Sequence, residues 1–183
     1  MNRPLPKQPA NSITIAALIV LVLSGCATTP FSQDTLPAAV QVPAGNVVVL
    51  EATGVGKITY ECRAKKDNAG FEWVFVGPDA KLTDRGGKPI GRYYGPPATW
   101  ESSDGSIVTG AQVAVAPAAP GSIPLQLVKA NPATGKGGMV GTTFIQRVAT
   151  KGGVAPSTAC DAAAIGKKEI VNYQADYIFY KAK

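Results

Sequence analysis

GFEWVFVGPDAKLTDRGGKPIGRYYGPPATWESSDGSIVTG, residues 70–110, holds both tryptophans and most of the turn punctuation of a chain of 183 residues. Its opening alternates Phe71, Trp73 and Phe75 with Glu72, Val74 and Val76, the period of two that sends one set of side chains to each face of a strand. Gly77-Pro78 predicts the end of that strand, because proline withdraws a backbone donor. Arg85-Gly86-Gly87 and Asp104-Gly105 read as turns, the second in a hairpin setting, and Gly95-Pro96-Pro97 forces an extended approach to Ala98-Thr99-Trp100. Short strands and tight turns are what such a stretch builds.

The same grammar continues on both sides. Residues 46–53 and 57–64 read as two strands separated by Gly54-Val55-Gly56, with Ile58, Tyr60, Cys62 and Ala64 on one face. Further strands fall at residues 111–116, at 123–130 and within 139–150. The last lies at 171–180, where Val171, Tyr173, Ala175, Tyr177 and Phe179 share a face. Residues 161–164 offer one helical turn. With 20 glycines and 15 prolines, the expected fold is all-β: a β-sandwich or partly open β-barrel of about eight or more short strands, with minor helix.

At the N-terminus, Arg3 and Lys7 precede an apolar run over residues 13–23, about half of the ~20 residues a membrane-spanning helix needs. Leu23-Ser24-Gly25-Cys26 follows, and the whole order resembles a bacterial lipoprotein signal. That resemblance implies cleavage before Cys26 and lipidation of Cys26 itself. Residues 1–25 are then the signal peptide, 26–41 the lipidated cysteine with a flexible spacer, and 42–183 a single β-rich domain. Several acyl chains, at about 0.8 kcal/mol per buried CH₂, anchor such a protein to a membrane stably. Ala27 stands where a retention aspartate would, which implies the outer membrane, facing the periplasm, in a Gram-negative cell.

Removing Arg3 and Lys7 takes two charges off a net +6, and the remaining cations are scattered instead of interleaved with aromatics, which argues against nucleic acid. With Cys26 committed to lipid, Cys62 and Cys160 remain, and an exported pair in an oxidising compartment predicts a disulfide.

The chain has no histidine, which excludes histidine-based triads and the commonest zinc and haem ligation. No metal site and no cofactor is indicated; Gly86-Gly87 and Gly137-Gly138 lack the strand-to-helix context of a phosphate loop. Glu72, Asp79, Asp84, Glu101 and Asp104 occur at ordinary surface density, and Glu101 paired with Asp104 or Glu72 is the one glycosidase-like arrangement they offer. Among the aromatics Tyr60, Trp73, Tyr93, Tyr94 and Trp100, Trp73 reads as core. Tyr93, Tyr94 and Trp100 sit beside Gly and Pro turns, where they are either core filling or, presented to solvent by a loop, the candidate binding surface with Glu101, suited to stacking a sugar ring.

Tyr60-Glu61-Cys62, GFEWVFVGPDAKL (residues 70–82), Thr99-Trp100-Glu101, Asp104-Gly105-Ser106, Phe144-Ile145-Gln146-Arg147-Val148, Ala159-Cys160-Asp161 and ADYIFY (residues 175–180) together resemble the domain-of-unknown-function 3455 family of exported bacterial and fungal proteins. The likeness covers residues 36–183 and is jointly specific. It implies a pairing of the two cysteine motifs, and it implies no reaction and no cofactor. Where the family pattern has a histidine, this chain has Tyr93, so no role of that histidine carries over. The resulting expectation is a lipid-anchored envelope protein with a non-catalytic binding or interaction domain. Its expected partners are the membrane, through the anchor, and cell-wall glycan or another envelope protein. An envelope hydrolase acting on glycan through a carboxylate pair is the alternative.

Overall fold

The computed structural model describes Met1, residues 31–66 and residues 69–183; Cys26 and the expected signal run after Met1 lie outside the described residues. Eight antiparallel strands follow one another in chain order and close into a barrel: β1 (Asn46–Ala64), β2 (Phe71–Thr83), β3 (Pro89–Tyr94), β4 (Thr99–Ser102), β5 (Ile107–Ala116), β6 (Leu125–Ala130), β7 (Thr142–Gly152) and β8 (Lys168–Ala182), which returns to pair with β1. The all-β expectation holds. Of the two architectures considered, one sheet closed on itself is the one the chain adopts.

Two predicted strand breaks are absent, for one reason. Gly54-Val55-Gly56 does not separate a pair of strands but lies within the 19-residue β1, and Gly77-Pro78 lies within β2. A Cβ at Gly54 would come within 2.6 Å of the Tyr177 ring, and one at Gly56 would strike the Asp79 carbonyl oxygen. These glycines thus admit close neighbours where the wall curves, which is the other meaning of glycine in a strand. The bulge at Thr59/Tyr60, opposite β2 just beyond Gly77, absorbs the irregularity there. The predicted hairpin at Asp104-Gly105 joins β4 to β5, and the predicted turn near residue 161 is a 3₁₀ turn, Ala162–Ala164, capped by the Asp161 carboxylate.

Eight strands enclose an interior just wide enough for side chains or one small ligand. Here every strand sends apolar residues inward, among them Ala52, Leu82, Tyr93, Trp100, Val108, Val128, Ile145 and Phe179. The charged Glu51, Lys57, Lys81, Arg92 and Glu101 alternate with these and face outward. This is the reverse of a barrel whose outer wall meets lipid. A second apolar cluster covers a portion of the outer wall: Val40 and Val42 pack on Ala116, Leu127, Val148, Ile178 and Tyr180. The stretch from residue 31 onward is therefore not spacer, as expected, but a strap on the barrel, because Val40 buries completely and Gln146 fastens its backbone, donating to Val40 O at 2.6 Å.

The two ends differ. At the end carrying the C-terminus, Met139 from the β6–β7 loop plugs the barrel, and Asp104 holds that loop by accepting from Gly138 N (2.7 Å), Ser106 N (3.0 Å) and Ser106 Oγ (2.6 Å). At the far end, residues 153–167 cross over the long β1, β2 and β8. The Cys62–Cys160 disulfide pins this lid across 98 residues of sequence, aided by Trp73 Nε1 donating to Thr158 O and Tyr60 Oη donating to Gly153 O.

Candidate functional site

Tyr93 and Trp100 are direct cross-strand partners on β3 and β4, and both project into the barrel, 6 % and 1 % exposed. Their rings stack with centroids 4.8 Å apart. Tyr177 of β8 leans on both, at 4.9 and 5.7 Å, and Phe179 meets Trp100 edge-on at 6.3 Å. Tyr94 and Glu101, one residue along each strand, are on the opposite side of the wall by the alternation of the pleat. There Arg92 Nη2 and Tyr94 Oη donate to the same Glu101 oxygen, at 2.8 and 3.1 Å, with the guanidinium 4.6 Å over the Tyr94 ring. The four residues of the expected binding surface are thus divided two and two, and they share no face. Trp73, expected in the core, lies partly buried against it.

The interior half belongs to a larger set. Tyr173 lies above Tyr177 on β8, their hydroxyl oxygens 3.3 Å apart, and Tyr60 enters from β1 with Phe75 edge-on at 6.1 Å. Burial pushes the hydroxyls of Tyr60, Tyr93, Tyr173 and Tyr177 above the usual tyrosine range, so at neutral pH all four are protonated donors. The Tyr93 hydroxyl has no hydrogen-bond partner among the described residues, and Trp100 Nε1 is buried without one.

A gap in the wall beside this set follows from strand length. The β2–β3 ladder stops at Asp79↔Tyr94 and the β4–β5 ladder at Thr99↔Thr109. Residues 71–78 of β2 and 110–116 of β5 consequently continue past the short β3–β4 hairpin with no strand between them, leaving a notch in the wall above the Gly95-Pro96-Pro97 turn. Phe75, in register with inward Tyr60, is 50 % exposed there. On the β5 side of the notch Gln126 donates to Gln112 (2.6 Å), and Gln126 stands in register with Arg147, itself opposite inward-facing Tyr177. This group is the cup: the buried rings of Tyr93, Tyr173 and Tyr177 as its floor, with Tyr60 and exposed Phe75 on one side and Gln126 and Arg147 on the other.

Sequence reasoning named Tyr93 and Trp100 but missed Tyr173, Tyr177 and Arg147. The shared face of Tyr173 and Tyr177 was visible, and Arg147 recurs two residues after inward Ile145, a cation where the strand's period asks for an apolar residue. The carboxylates make no pair. Glu72 is at the far end, Asp104 at the C-terminal end, and Glu101 on the outer wall between them. Hydrogen bonds hold two of them low: Arg92 and then Tyr94 for Glu101, and Gly138 N then Ser106 for Asp104, which lies far below the usual range. A general acid needs the opposite shift.

One family model matches the chain, over residues 43–181, and its description is a protein of unknown function (DUF3455). No curated protein and no solved structure matches it at a significant level.

Proposed function

The chain belongs to the DUF3455 family of proteins of unknown function, and from its own residues we propose that it is a lipid-anchored cell-envelope protein whose barrel is a non-catalytic binding domain. Lipidated Cys26 is the anchor, in the outer membrane facing the periplasm of a Gram-negative cell. Four residues lie between Cys26 and Phe31, where the strap begins, so the chain can reach at most about 18 Å across those five steps and the barrel rides close to the bilayer surface. Its charged outer wall keeps it out of the lipid.

The ligand site is the cup, and the observation that carries it is the convergence of four protonated tyrosines beneath the notch, with the Tyr93 hydroxyl unpartnered. Aromatic faces with a few fixed donors are what a sugar ring needs: stacking on its apolar face, hydrogen bonds to its hydroxyls. Envelope glycan is the ligand source in reach of such an anchor. Titrating the full chain, purified in detergent, with cell-wall glycan fragments tests this through tryptophan emission. Trp100, stacked on Tyr93, will report a saturable change that Tyr93→Ala abolishes. A flat titration of folded protein sinks the reading.

A further inference from the structure

Four arginines fall among the described residues, and three are paired with carboxylates: Arg63 with Glu61, Arg85 with Glu51 and Arg92 with Glu101. Arg147 is the exception. Its Nε and Nη2 both donate to the carbonyl oxygen of Pro124, at 3.2 and 2.9 Å, and no carboxylate accompanies it among the described residues. A carbonyl fixes the guanidinium in place but leaves its charge unneutralised. That charge acts on Tyr60, Tyr93, Tyr173 and Tyr177 alike, favouring their ionised form against the larger effect of burial. In register with inward Tyr177 on β8 and two residues on from inward Ile145, Arg147 faces the same cup as the tyrosines. On the inner face beside it stand the tyrosine hydroxyls and the Gln112–Gln126 pair, all neutral at pH 7; Asp79, whose charge also reaches Tyr173, stands on the outer wall opposite Lys57. Such a lining leaves a cation without its counter-ion.

Resting on the reading of the cup as a ligand site, we infer that the ligand is an acidic sugar, whose carboxylate pairs with Arg147 while its ring lies on the tyrosine floor. The guanidinium is held on one side by Pro124, so its remaining N–H groups are presented in a fixed fork, the geometry that suits a carboxylate. A neutral sugar meets the same floor and leaves the arginine unpaired.

N-acetylmuramic acid and N-acetylglucosamine share a ring and differ by a lactyl carboxylate, so they are the probes. Calorimetric titration of the full chain in detergent should show the acid binding about 10- to 100-fold tighter, the range of one charge-assisted contact. Raising the salt should narrow that ratio. Arg147→Gln should abolish the preference for the acid, while Arg147→Lys should keep some of it. Should Arg147→Gln fail to fold, Arg147→Lys and the salt series carry the test. Equal affinities for the two sugars would overturn the inference and leave the binding domain standing. Binding of neither would overturn both.

Discussion

Breaking the Cys62–Cys160 bridge, by reductant or by the paired substitution Cys62→Ala/Cys160→Ala, separates what the disulfide does from what the lid's other contacts do. The bridge spans 98 residues. In the chain-entropy treatment a loop of that length removes unfolded-state freedom corresponding to about 4.7 kcal/mol at 25 °C. The folded lid has independent fastenings: Trp73 Nε1 on Thr158 O, Tyr60 Oη on Gly153 O, and a reciprocal backbone pair in which Cys62 N donates to Lys167 O and Gly166 N to Cys62 O. Without the bridge the native lid should stay in place, and the loss should arise almost wholly in the unfolded chain. Residual structure in that chain reduces the figure, so the expected cost is about 3–4 kcal/mol. Urea unfolding followed by tryptophan emission should show the midpoint falling by about 1–2 M, with the native baseline unchanged. A shift below about 0.5 M would refute the entropic argument. A native baseline altered before unfolding would show that the bridge, not the hydrogen bonds, positions the lid.

Raised tyrosines make the fold sensitive to alkali. Their stabilising contribution is complete below about pH 10, the unfolded value. It is lost as the pH rises through the higher folded values, of which Tyr180, pushed up to about 12 by burial, is one. Absorbance at the phenolate band against far-ultraviolet dichroism should show ionisation and unfolding together over this interval. Asp104 has the opposite sign: its stabilisation is present above about pH 4 and declines as the pH falls toward its much lower folded value. Asp104→Ala should cost roughly 1–2 kcal/mol at pH 7 after allowance for its exposure, lowering Tm by a few degrees, and the difference from the unaltered chain should shrink in acid. Gln146→Leu leaves Tyr180 Oη, which donates to it at 2.7 Å, and Val40 O without their partner. A cost of about 1–3 kcal/mol is expected, and limited proteolysis should cut residues 31–42 sooner in the variant.

Much of the fold was legible because alternation is a local property. Residues 71–76 and 171–180 declare strands by themselves, and Asp104-Gly105 declares its hairpin, since each signal depends only on near neighbours in the chain. Gly54, Gly56 and Gly77-Pro78 misled because glycine and proline mark either a chain break or a close approach, and only the neighbouring strand decides which. The candidate site was half legible. Tyr93 and Trp100 were named with Tyr94 and Glu101, but their position beside turns left core and surface both open. Their register with each other and with β2 and β5 turns them inward.

By itself, then, the sequence determined the all-β class, the membership of the family and the pairing of Cys62 with Cys160. Composition, period and residue type suffice for those. Tertiary structure alone decided that the sheet closes, that Tyr94 and Glu101 face away from Tyr93 and Trp100, and that Arg147 stands opposite Tyr177 on the inner face beside a gap left by two short strands. Closure and lumen contents depend on pairings between residues up to 136 positions apart, such as Asn46↔Ala182, and no local pattern encodes distances of that kind.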